Sequence, residues 1–300
     1  MFELPSGINA DNLINDLRIF SWESAQILLY YSKILKDSDY KSNILKNQNE
    51  DDPVTIADLK VNELIIQRIN EKYKDINWEI LSEENVKKDS ENPIIIADWM
   101  WVLDPLDGTK DFIQGTNNYA MHLALNFRQK PYIGIVLIPE KDELWIADRE
   151  KVWCEQKNGS KIKPKLSKNS KLEDMLLVTS KNHKNQTLKN LIQKINFNKV
   201  ITMGSIGCKI ASIVRGESDI YICLSLPGKS SPKDWDFAAP EAILKAAGGA
   251  ITNLDNQEIS YGNTDYMQGG IIVASNNRAN HERICLEIKE IIKKYELYPL

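Results

Sequence analysis

Histidine and cysteine are both scarce in this chain of 300 residues: three of the first and four of the second, Cys154, Cys208, Cys223 and Cys285. No two cysteines form a Cys-x-x-Cys pair, and no histidine stands at ligand spacing from them. The common zinc patterns are therefore excluded, and reduced thiols in a cytoplasmic protein are expected. No run of about 18 apolar residues occurs, so no membrane-spanning helix is expected. The stretch Met1 to Asn15 lacks a basic region followed by an apolar one, which argues against a secretory signal. A basic excess is missing too. The net charge is -4, with acids and lysines interspersed, so no field draws the chain to nucleic acid or an anionic membrane. There is no repeat, no low-complexity tract, and no evident Ser/His/Asp or Cys/His arrangement for nucleophilic catalysis.

What is present suits a soluble globular protein, with 42% apolar and 27% charged residues and length enough for one large domain or two of ordinary size. Residues 12–36 and 56–73 carry apolar side chains at helical spacing. The pattern then turns to strands, at Trp78–Leu81, Ile94–Ala97, Trp101–Leu103, Ala120–Phe127, Tyr132–Ile138 and Leu144–Ala147, the last three reading as an antiparallel meander. The Lys/Ser/Asn-rich stretch Lys161 to Lys171 marks the best boundary. Beyond it strands and helices alternate, with helices at Thr187–Ile195, Lys209–Val214, Asp236–Ala247 and Arg278–Tyr295. The fold class expected is α+β in the first half, residues 1–165, and α/β in the second, residues 166–300, in a layered sandwich.

Acidic residues gather at the edges of these elements. A buried strand runs into Asp104-Pro105-Leu106-Asp107-Gly108-Thr109. Pro105 is expected to end the ladder, Gly108 to permit a tight turn, and Thr109 to open a short helix with outward N–H groups suited to phosphate. Two carboxylates three residues apart can hold hard cations such as magnesium. Each cluster has a plain structural reading as well. Asp107-Gly108 is ordinary turn chemistry, and Glu83-Glu84 reads as a solvated acidic pair. Asp236 suits a helix N-cap, with Pro240 near the first turn. Thr55 would cap the second helix with Asp58 at its N3 position. Taken together, four acidic spots at strand ends and helix starts point to one cleft, because burying so many carboxylates without cations is costly.

The ordered motifs Glu83-Glu84, Asp104-Pro-Leu-Asp-Gly-Thr and Trp235-Asp236-x-Ala-Ala resemble the lithium-sensitive, magnesium-dependent phosphatase superfamily. It includes inositol monophosphatases, bisphosphate nucleotidases and fructose bisphosphatases. The resemblance spans roughly residues 50 to 275 and implies a layered α-β-α-β-α sandwich of the sugar-phosphatase type. Within it, Gly108-Thr109-Lys110-Asp111-Phe112 looks like the 3'(2'),5'-bisphosphate nucleotidase, CysQ-like branch, as do the block from Trp235 to Gly249 and the segment Gly204-Ser205-Ile206-Gly207-Cys208-Lys209. That branch hydrolyses adenosine 3',5'-bisphosphate to AMP, clearing a by-product of sulfate assimilation and sulfation.

The resemblance implies two or three magnesium ions. Glu83, Asp104 and the Leu106 carbonyl match one site, Asp104, Asp107 and Asp236 the second, and a weaker third touches Glu83. Asp58 and Thr109 match the pair that orients and deprotonates water. The N–H groups of Gly108 and Thr109 match the phosphate cradle, and His183, Gly204, Ser205, Lys209 and Asp236 match substrate contacts. Cys223-Leu224 departs from relatives that place an arginine there for the non-reacting phosphate, leaving Lys229, Lys233 or Lys209 to supply that charge. The alternatives are an inositol or sugar phosphate phosphatase and, from another class, a non-catalytic metabolite sensor. A small-molecule phosphate ester is the expected partner, with the chain a monomer or a homodimer.

Overall fold

The computed structural model describes residues 4–36, 45–47, 54–88, 97–181, 185–263 and 265–299. In chain order the elements are α1 (Ala10–Lys36), β1 (Leu45–Asn47), β2 (Val54–Thr55), α2 (Ile56–Lys72), β3 (Glu79–Ser82), α3 (Glu83–Lys88), β4 (Trp99–Asp107), α4 (Thr109–Gln114), β5 (Ala120–Phe127), β6 (Lys130–Ile138), β7 (Glu143–Asp148), β8 (Lys151–Glu155) and β9 (Lys161–Ile162). There follow β10 (Leu176–Ser180), α5 (Gln186–Ile195), β11 (Lys199–Met203), α6 (Ile206–Val214), β12 (Ile220–Leu224), α7 (Asp234–Ala246), β13 (Ala250–Asn253), β14 (Ile271–Ser275) and α8 (Arg278–Lys294). The strand expected at Ile94–Ala97 lies, apart from Ala97, outside the described residues.

Two sheets carry the molecule. The seven-stranded one runs β3-β4-β5-β6-β7-β8-β9, parallel at β3/β4 and antiparallel elsewhere. The five-stranded one runs β11-β10-β12-β14-β13, parallel around β10 and antiparallel around β14. Period-two alternation sorts their side chains into three cores. Trp101, Leu103, Leu123 and Ile135 join α1 and α2 on one face of the large sheet. Met100, Val102, Ala124 and Val136 face α6 and α7, which meet Tyr221, Ile272 and Ala274 of the small sheet on their other side. Ile220, Ile222, Ile271 and Val273 then pack with Leu188 and Leu191 of α5 and Ile284 and Ile288 of α8. The result is the α-β-α-β-α sandwich. Its central core takes side chains from both sides of residue 165. Among the described residues no helix is long and apolar enough to cross a membrane.

Three local expectations need correction. β4 does not stop at Pro105 but continues to Asp107. Asp104 pairs with His122 and Asp107 with Ala120, so three steps on one strand oppose two on the other. Pro105, which has no N–H to give, falls in this bulge, where the ladder is already interrupted. Asp236 is not an N-cap: α7 starts at Asp234 and puts Asp236 at N3, where its Oδ2 accepts the Lys233 N–H at 2.6 Å. Because the helix starts earlier, Pro240 lies inside it, and the N–H that would serve the Asp236 carbonyl is missing.

Candidate active site

The parallel register of β3 and β4 builds the first part of the site. Ser82 pairs with Leu103, so the next residues, Glu83 at the start of α3 and Asp104, emerge side by side. The bulge then brings Asp107 back to the same end of the sheet. Gly108, at φ +87, turns the chain into α4, and a Cβ there would crowd Asn118 O and Ser205 N at 3.0 Å. The start of α7 is fixed from behind: Asp234 accepts the Gly262 N–H and the Gln268 amide, both at 2.6 Å. These devices bring one carboxylate oxygen each of Asp104, Asp107 and Asp236 within 4.8 Å of one another.

All the carboxylates are shielded from water to a large extent, and their titration reflects it. Burial, then the charges of Glu83, Asp107 and Asp236, holds the Asp104 carboxyl well above the usual range. Burial, then Asp107, does the same to Asp236. Glu83 is less enclosed and pairs with Lys87 at 2.9 Å. Asp107 is differently served. Its Oδ2 accepts the Ser205 hydroxyl at 2.7 Å and the Gly207 N–H at 3.1 Å, and His122 Nε2 stands 3.2 Å away. The donors clustered here are carboxylate oxygens of Asp104, Asp107 and Asp236, and the nearby Leu106 carbonyl accepts the Thr109 hydroxyl at 3.0 Å. An all-oxygen set with clustered negative charge fits a hard divalent cation such as magnesium, and such an ion would relieve the repulsion.

Asp58 borders this cluster. Thr55 caps α2 and its N–H and hydroxyl both go to Asp58 Oδ2, at 2.9 and 2.5 Å, completing a capping box as expected. Its other oxygen, Oδ1, lies 3.4 Å from Thr109 Oγ1. Burial foremost, together with Glu84 and Glu83, pushes the Asp58 carboxyl up to about 8 against the two Thr55 bonds.

The residues matched to substrate contacts divide. Ser205, at φ +46, caps α6 by accepting the Cys208 N–H. A Cβ on Gly204 would overlap the buried Asp111 carboxyl, so glycine is required for that packing. Lys209 is enclosed by the protein. It lies inside α6, 3% exposed, with Nζ donating to Ser205 O at 3.0 Å and resting 5.3 Å from the Tyr221 ring centre. Lys233 Nζ donates to Asp265 O, whereas Lys229 is exposed on the loop before α7. His183 lies outside the described residues. His122 is not among the residues expected from the sequence: its ring, in the middle of β5, reaches the Trp235 carbonyl through Nδ1 at 3.3 Å. The signal available was a lone histidine in a buried strand whose only other polar residue is Asn126.

The chain is similar to known proteins. A family model described as the inositol monophosphatase family matches residues 13–293. The 3'(2'),5'-bisphosphate nucleotidase CysQ of Buchnera aphidicola is 34% identical over 211 residues, 70% of this chain and 74% of its own length. The Nus factor SuhB of Vibrio cholerae is 29% identical over 258 residues, 83% of this chain and 86% of its own. Among solved structures, inositol monophosphatase II of Staphylococcus aureus superposes with a TM-score of 0.71 at 22% identity, covering 96% of this chain and 97% of that one, which bears on the fold alone. With a family match running from α1 into α8, through every acidic segment of the cleft, the chain belongs to the inositol monophosphatase family.

Proposed function

We propose that the chain is a magnesium-dependent phosphomonoesterase that hydrolyses adenosine 3',5'-bisphosphate to AMP and phosphate, and accepts its sulfated relative. Most of the cation ligands (Glu83, Asp104, Leu106 and Asp107) come from the domain 1–165, with Asp236 and the substrate contacts from 166–300. The observation that carries the reading is the Thr109 hydroxyl 3.4 Å from Asp58 Oδ1, beside the cluster of Asp104, Asp107 and Asp236. Thr55 occupies Asp58 Oδ2, which leaves Oδ1 and Thr109 to orient a water between them. Oδ1 is the atom placed to take the water proton, and cations in the neighbouring cluster would draw the Asp58 carboxyl down from about 8 towards the ionised form that a base requires. The water oxygen bonds to phosphorus as the P–O bond to the ribose breaks; one water proton passes to Asp58, and the ribose oxygen, leaving with the electron pair of that bond, takes a proton from solvent to become the 3'-hydroxyl of AMP. The N–H groups of Gly108 and Thr109 hold the phosphoryl oxygens. Two to three bound magnesium ions would supply Lewis acidity, neutralising phosphoryl oxygens and making water easier to deprotonate.

Two features favour the nucleotide over other esters. Lys110-Asp111 is the branch motif, and Asp111 is buried against Gly204, tying that motif to the Gly204-Ser205 segment. The relative named a bisphosphate nucleotidase is 34% identical. A substrate panel with magnesium tests the reading: adenosine 3',5'-bisphosphate should give the highest kcat/KM. Faster turnover of inositol 1-phosphate would replace it with the inositol phosphatase reading, which the absence of an arginine at Cys223-Leu224 favours.

A further inference from the structure

His122 stands at the centre of the large sheet, paired across the ladder with Asp104 and fully buried. Its neighbours along β5, Met121 and Leu123, fill space as apolar groups. A polar ring at such a depth is costly unless polar partners receive it. It has two. Nδ1 donates to the carbonyl of Trp235, which belongs to the peptide unit leading into Asp236. Nε2 lies 3.2 Å from Oδ2 of Asp107, off the line of an ideal hydrogen bond. The ring therefore touches the loop after β4 and the first turn of α7, two segments far apart in sequence that each carry one of the clustered carboxylates.

The ring is also boxed in. A Cβ on Gly207 would overlap His122 Nε2 and come within 2.9 Å of Val136 Cγ1, while the Gly207 N–H holds the same Asp107 oxygen. Any tilt of the ring would press on Gly207 or release Trp235. We propose that His122 is a positioning residue of the acidic centre, a strut that sets the separation of Asp107 from the Asp236 segment and so the affinity of the centre for divalent cations. This rests on the reading that these carboxylates hold such ions.

The test is direct Mn²⁺ binding to the full chain by calorimetry and by electron paramagnetic resonance of free Mn²⁺, with melting temperatures in chelator alongside. His281→Ala is the control, since His281 is equally buried but bonds Ser275 at 2.7 Å and Thr252 at 2.8 Å. His122→Ala should weaken Mn²⁺ binding on the order of tenfold, as loss of a partner to a ligand does, and lower kcat more than it changes KM. The control should lower the melting temperature and leave the Mn²⁺ isotherm alone. His122→Asn keeps a donor near Nδ1 and His122→Gln one near Nε2, so each should recover part of the affinity; they also carry the test if the alanine variant does not fold. Wild-type isotherms in the His122 variants would overturn the inference alone. A wild-type chain that binds no Mn²⁺ would overturn the metal-centre reading and this inference with it.

Discussion

Ser205 donates its hydroxyl to Oδ2 of Asp107 at 2.7 Å while accepting the N–H of Cys208, so one side chain caps α6 and steadies a carboxylate of the cleft. Removing the hydroxyl costs a cap and a hydrogen bond, about 1 kcal/mol each. Ser205→Ala should therefore melt several degrees lower and bind magnesium more weakly. The backbone at φ +46 strains any side chain, so Ser205→Gly should lose less stability for the same loss of affinity. Differential scanning calorimetry with a magnesium titration separates the two effects; equal stability losses would remove the backbone argument.

Asp58 gives a sharper pair of expectations. Asp58→Asn keeps the shape and removes the base, so turnover should fall by roughly 10²–10⁴-fold while nucleotide still binds. An unchanged rate would take Asp58 out of the mechanism and lend weight to the sensor reading.

The same carboxyl sets a pH dependence for the metal-free chain. Its value is about 8 when folded against 3.8 as the reference. Between about pH 4 and 8 the folded chain holds a proton that the unfolded chain has released, so stability falls as pH rises through that window. Asp104 and Asp236, raised in the same direction, steepen the fall. In chelator, melting temperature should drop from pH 5 to 8, less so in Asp58→Asn. Added magnesium should restore more at pH 8 than at pH 5, because it competes with those protons. A melting temperature that rose with pH in chelator would contradict this.

Much of the cleft was legible in the sequence because its devices are local. Thr55 and Asp58 form a capping box three residues apart, and the turn at Gly108 opening a helix at Thr109 follows from glycine and helix-start chemistry. The layers followed from strands and helices alternating along the chain, the strands being apolar runs that bury both faces, as β4 and β14 do. What escaped depended on partners distant in the chain. Pro105 reads as a strand end until β5 supplies a bulge to absorb it. Asp236 reads as a cap until the ties of Asp234 to Gly262 and Gln268 show that α7 starts two residues sooner. Lys209 matches a substrate contact in the sequence, and its enclosure against Tyr221 and the Ser205 carbonyl becomes visible only in the fold.

The non-reacting phosphate of a bisphosphate needs a cation within reach, and the three lysines proposed for it are not equivalent. Lys209 and Lys233 each spend the ammonium on a carbonyl, while Lys229 is exposed beside the start of α7. Lys229→Ala should raise KM for adenosine 3',5'-bisphosphate about tenfold, the loss of one charged hydrogen bond. It should leave KM for a substrate with a single phosphate, such as adenosine 3'-monophosphate or inositol 1-phosphate, unaltered. Equal changes for both classes would assign Lys229 to general attraction of anions.

Lys209 is then left with a different part. Its ammonium is enclosed, and burial lowers its pKa against the pull of Asp107. From this position it acts on the centre through its field, drawing on Asp107 and Asp236 and repelling any cation that binds them. Lys209→Met keeps most of the shape and removes the charge. The half-saturating magnesium concentration should fall roughly threefold to tenfold, and KM for the phosphate ester should rise by a similar factor as the cleft becomes more negative. In chelator the variant should melt no lower, because burial of the ammonium outweighs its attraction to Asp107; added magnesium should then stabilise the variant more than the wild type. Opposite shifts for cation and anion are what distinguish a buried charge from a lysine that grips the substrate, which would raise KM and leave the magnesium dependence where it was.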